Sequence, residues 1–104
     1  MIEAPEATDA LRADIQAVLA GTAGAVAEWE LHLGEDWSGD PGVFITVTFK
    51  DSELQRVWPA RRSLQASIEE HARKRFPGRF PYIVFMAQTI AANPLAPAGR
   101  RQRR

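Results

Sequence analysis

The sequence predicts a small α+β domain: a two-layer sandwich in the order α-β-β-α-β, with two helices covering one face of a three-stranded sheet. Three observations carry this prediction. Two segments repeat their apolar residues at helical spacing, two neighbouring runs alternate strictly between apolar and polar residues, and one short apolar run follows a Pro-Gly break. A chain of 104 residues supports one hydrophobic core and buries roughly 65% of its unfolded surface on folding. Residues 1 to 90 are therefore read as one domain and residues 91 to 104 as a disordered basic tail.

The first helix is expected from Pro5 to Ala20. Leu11, Ile15, Val18 and Leu19 fall on one face, acids cluster early, and Gly21 stands where a helix stops. Ala25 to Leu33 alternates, with Ala25, Ala27, Trp29, Leu31 and Leu33 on one side and Glu28, Glu30 and His32 on the other. Val43 to Lys50 alternates again, with Val43, Ile45, Val47 and Phe49 pointing inward. These two strands should form an antiparallel hairpin across a nine-residue connection, Gly34 to Gly42.

Trp58-Pro59 marks the next boundary, because proline suits the first position of a helix and pushes its predecessor out of helical dihedrals. The second helix is expected from Pro59 to about Arg75, with Leu64, Ile68 and His71 or Ala72 as its core stripe. Ser52 and Gln55 match the S-x-x-Q capping box and suggest a short helical turn before the proline. Phe80 to Gln88 reads as a third strand, apolar on both faces, with Pro81 at its start or at a sheet edge. A crossover through the second helix makes it parallel to one of the first two strands. Phe44, Ile83 and Phe85 are assigned to the outward face, which is then more apolar than water requires and implies a cover, a homodimer contact among the candidates.

The formal net charge of zero hides a division. Residues 1 to 55 hold eleven acids against Arg12 and Lys50, for a net charge of −9, and residues 56 to 104 mirror this at +9. The absence of cysteine excludes disulfides, thiolate metal sites and thiol nucleophiles, and suits a reducing cytoplasm. The acidic N-terminal stretch lacks the pattern of a secretory signal, and no apolar run approaches the ~20 residues of a membrane span. Only two of the thirteen basic residues are lysines, a bias attributed to a GC-rich, bacterial coding genome.

Chemistry finds little support. Of the two histidines, His32 sits beside Glu30 on the polar face of its strand and His71 lies near the core stripe of the second helix, and no G-x-S-x-G nucleophile turn accompanies either. The loop oxygens of Glu35, Asp36, Ser38 and Asp40 resemble the first half of a calcium loop, but the glycine position is Pro41 and the bidentate glutamate position is Val47. No phosphate-binding glycine motif is present. The chain is expected to be no enzyme and to hold no metal or cofactor.

Two binding functions remain. The first is a protein-interaction module, an accessory, adaptor or antitoxin-like subunit, using Trp37, Glu35, Asp36 and Asp40 of the hairpin loop with Phe44 and Phe85 of the sheet. A loop tryptophan either seals the core or presents an anchor to a partner. The second is RNA binding through Arg61, Arg62, Arg73, Lys74, Arg75 and Arg79 with the tail bases Arg100, Arg101, Arg103 and Arg104. The element order resembles that of KH-type RNA-binding folds in topology, though the G-x-x-G clamp of that family is missing around Pro77-Gly78-Arg79.

Overall fold

The computed structural model of the chain describes residues 5–89. The elements are α1 (Pro5–Ala20), β1 (Val26–Glu35), β2 (Pro41–Phe49), a 3-10 turn (Asp51–Glu53), α2 (Leu54–Val57), a second 3-10 turn (Trp58–Ala60), α3 (Arg61–Arg75) and β3 (Phe80–Ala87). β2 is central, antiparallel to β1 and parallel to β3. The predicted two-layer α-β-β-α-β sandwich is the observed one.

α1 presents Leu11, Ile15 and Leu19, four residues apart, and all three are buried. They meet Val43, Ile45, Val47 and Phe49 of β2, and Ile68, Ala72 and Phe76 from the α3 segment, in a single cluster. Both helices therefore cover the same face of the sheet. Across the helix pair, Arg75 donates to Asp14 at 2.9 Å and His71 stands 3.4 Å from the same carboxylate. Hydrogen bonding from Arg75 is the main influence holding the Asp14 carboxyl below its ordinary range.

Several local expectations are corrected. α1 does stop at Ala20, but its left-handed exit falls on Ala23, at φ 56°, with Gly21 merely closing the last turn onto Val18. The capping box does not form: Ser52 lies inside the 3-10 turn, and neither that turn nor α2 has a side-chain cap. Proline at 59 sits in the second 3-10 turn, so the long helix begins at Arg61. The hairpin connection is also shorter than nine residues, since pairing continues through Gly34 with Gly42 and Glu35 with Pro41.

Ile83 and Phe85 are on the helix side of the sheet, contrary to the outward assignment. They pair laterally with Ile45 and Val47, which are wholly buried, and Phe85 stacks on Phe49 at 5.5 Å. Laterally paired residues share a face of a pleated sheet, so the register leaves Phe85 no other side. The residues 90 to 104, including the predicted tail, lie outside the described residues.

Candidate functional site

The face of the sheet turned away from the helices is arranged in rows fixed by strand register. The central row is aromatic: His32 of β1, Phe44 of β2 and Tyr82 of β3 stand side by side. His32 stacks on Phe44 with centroids 5.0 Å apart, and Phe44 stacks on Tyr82 at 5.1 Å. Phe80 tilts against Tyr82 at 4.9 Å, and Trp37 meets it edge-on at 5.9 Å. Such offset and edge geometries are the favoured ones for aromatic pairs.

The next row toward the hairpin is Gly34, Gly42 and Phe80. Its two glycines are where the aromatic row leans. A Cβ on Gly42 would stand 3.1 Å from the Phe44 ring and 3.2 Å from the Tyr82 ring, so only glycine leaves the rings room to lie down over the backbone. On the other side of the aromatic row come Glu30, Thr46 and Val84, then Glu28, Thr48 and Met86.

Trp37 rides on a tight turn organised by one carboxylate. Asp36 Oδ1 accepts the backbone N–H of Ser38 at 2.9 Å, the Ser38 hydroxyl at 2.8 Å and the backbone N–H of Asp40 at 3.0 Å. Its Oδ2 accepts the Tyr82 hydroxyl at 2.7 Å. Gly39 supplies the left-handed backbone, at φ 88°, that lets the chain reverse. The Tyr82 hydroxyl, followed by that of Ser38, pulls the Asp36 carboxyl down to about 2, and the same bond to Asp36 pushes the Tyr82 phenol above 10.

The turn projects its tryptophan rather than folding it onto the core: Trp37 is 88% exposed, while Phe80 and Val84 are 52% and 50% exposed. Together they form an apolar surface beside Glu28, Glu30 and Asp40, all exposed. Glu35 is exposed as well but shares the strand parity of Leu33, so it leaves the strand end toward the helix side. Asp36 holds the turn and Tyr82 together with both oxygens. Of the predicted contact residues, the structure thus groups Trp37, Asp36, Asp40 and Phe44, sets Glu35 aside and removes Phe85 to the opposite face.

Sequence reasoning missed Tyr82, Phe80 and the aromatic role of His32. The parity of Phe80, Tyr82, Val84 and Met86 was available, but a strand apolar on both sides does not announce which parity is outward.

The basic residues predicted to meet nucleic acid are dispersed. Arg61 lies over the Trp58 ring at 4.8 Å, Arg73 over the Phe80 ring at 5.4 Å, and Arg75 is bonded to Asp14. Arg79 donates to the carbonyls of Gly34 and Gly42, stitching the hairpin end of the sheet. Arg62 and Lys74 are exposed on α3, and Arg100, Arg101, Arg103 and Arg104 lie outside the described residues. An open apolar groove of about 620 Å³ runs along the β3 edge, lined by Leu54, Trp58, Phe85 and Met86. Among the described residues, no three metal-ligating side chains converge and no helix is long and apolar enough to cross a membrane. Set against models of protein families, curated proteins and solved structures, the chain matches none of them.

Proposed function

We propose that this chain is a non-enzymatic protein-interaction module of the cytoplasm, an accessory or adaptor subunit that binds a partner protein through the open face of its sheet and the Trp37 turn. One observation carries the reading. A row of stacked rings, His32, Phe44 and Tyr82, continues into Phe80 and Trp37 on a face that no helix among the described residues covers. Exposed, rigid aromatic area of this kind is what binding hot spots are made of, since each ring brings large apolar surface with few rotors to immobilise. The side chains are also held before a partner arrives: Tyr82 is tethered to Asp36, and Phe44 is confined between two rings. The lack of cysteine suits the compartment.

RNA binding through α3 is the second reading, supported by exposed Arg62 and Lys74. The three strands place no Lys or Arg on the open face, so a polyanion would have to use the helix layer. The two readings predict different crosslinks. A photoreactive phenylalanine analogue replacing Trp37 or Val84, in cells that make the protein naturally, should yield one discrete protein adduct. The same analogue at Arg62 should yield none. Nucleic-acid adducts from position 62 alone would favour the second reading, and silence at both open-face positions would remove the first.

A further inference from the structure

The open face is unusual for a protein-docking surface in the sign of its charge. Its strand residues include Glu28 and Glu30 beside His32 and no Lys or Arg, Arg73 reaches it from α3 only at the Phe80 ring, and the Trp37 turn adds Asp40. The carboxylates of Glu28 and Glu30 have no ion pair or hydrogen bond among the described residues. A purely apolar partner would strip water from these carboxylates and return nothing, which is costly for an ionised group. A cationic partner converts the same desolvation into a paired contact.

Resting on the reading above, we propose that the occupant is an extended, arginine-rich segment of a partner protein, one guanidinium seated on Trp37 beside Asp40 and others paired with Glu28 and Glu30. Trp37 stands at 62° to Tyr82 with centroids 5.9 Å apart, Tyr82 is already stacked on Phe44, and the 88% exposed Trp37 brings the open ring surface at this corner of the sheet. A planar guanidinium stacks on such faces and still offers its edge to a carboxylate, whereas an ammonium does so only as a point charge. The chain already uses this contact twice internally, Arg61 over Trp58 and Arg73 over Phe80. The carboxylates also have a strand's spacing. Glu28 and Glu30 are two residues apart on β1, about 7 Å, which is the repeat of alternate side chains in an extended peptide. An Arg-x-Arg sequence therefore matches them, and Tyr82 lies two strand spacings to the side and two residues further along, about 12 Å from Glu30, so a different arginine of the segment meets the rings.

The test uses the full chain and a fluorescein-labelled dodecapeptide of alternating arginine and serine, followed by fluorescence anisotropy. Saturable binding should weaken about fivefold when lysine replaces arginine or when Trp37→Ala is introduced. Glu28→Gln combined with Glu30→Gln should weaken it about tenfold, and a glutamate-serine peptide should not bind. Arg62→Gln, on the helix side, should leave the affinity unchanged. Equal affinity for the lysine peptide, or affinity unaltered by the Trp37 and Glu28/Glu30 variants, would overturn the proposal. So would no binding of the arginine peptide at low salt. If that peptide fails while position 37 or 84 still crosslinks one partner protein, the arginine chemistry alone falls. If the crosslinks fail too, the docking face falls with it.

Discussion

The Asp36 carboxylate accepts the hydroxyl of Tyr82 at 2.7 Å, joining the β1–β2 turn to the edge strand β3. This one bond couples the loop that carries Trp37 to the aromatic row, so the turn and the face behave as one surface. Its consequences are open to direct measurement.

Tyr82 is the only tyrosine of the chain, and phenol ionisation can be followed by ultraviolet absorbance without ambiguity. The midpoint should lie above 10, because the bond to the Asp36 carboxylate, joined by desolvation, favours the protonated phenol. Asp36→Asn should bring it back toward 10. Since the folded-state value is raised, this bond's contribution to stability is present below pH 10 and is lost as pH climbs through the folded-state midpoint.

Asp36 titrates in the opposite sense. Its carboxyl is held at about 2, so what it contributes to the turn is complete above the ordinary carboxylate range near 3.8 and disappears as pH falls through about 2. The backbone amides of Ser38 and Asp40, both donated to Asp36 Oδ1, should shift together in an NMR titration with that midpoint. A common midpoint near 4 would show the turn to be organised some other way.

Trp37→Ala should change unfolding stability by less than about 0.5 kcal/mol, as expected for an exposed residue away from the core. Phe49→Ala, at a wholly buried position, should cost about 3–5 kcal/mol. Chemical denaturation separates the two, and a Trp37 variant as damaged as the Phe49 variant would mean that the tryptophan seals the core after all.

Gly42→Ala should displace rings without unfolding the protein. The added methyl meets Phe44 and Tyr82 at 3.1 and 3.2 Å, but the rings face solvent and can tilt away, so the cost should stay under about 1.5 kcal/mol. Ring-current shifts at His32 should change. Gly34→Ala, whose nearest ring atoms stand at 3.7 Å, should leave them nearly as they are.

Ala23→Gly should raise stability by about 0.5 kcal/mol. The left-handed backbone at φ 56° costs an alanine about 1–2 kcal/mol, and the greater entropy of an unfolded glycine returns about 0.4–1 of that. No gain in the denaturation midpoint would mean that the backbone there is not left-handed in solution.

Much of the fold was legible because each helix and both hairpin strands carry a period that matches their geometry. Leu11, Ile15 and Leu19 repeat every four residues, and Val43, Ile45, Val47 and Phe49 every two. Boundaries were harder. The strands run on through Gly34 and Gly42, two residues that propensity reads as loop, because rings from neighbouring positions lie over them and replace the missing side chains. The capping motif at Ser52 and Gln55 lost to a 3-10 turn in which Ser52 is no longer a cap.

The sequence by itself determined the order of elements, the helix-facing stripe and the charge division, since these depend on local periodicity and composition. Tertiary structure alone decided the surface that matters for binding. His32, Phe44 and Tyr82 become neighbours only through the lateral register of three strands, one of them reached by a long crossover. That register also sent Phe85 inward and left Tyr82 outward. In a strand apolar on both faces both parities are chemically acceptable, and the choice falls to the register with the partner strand, which sets Ile83 and Phe85 beside the inward Ile45 and Val47.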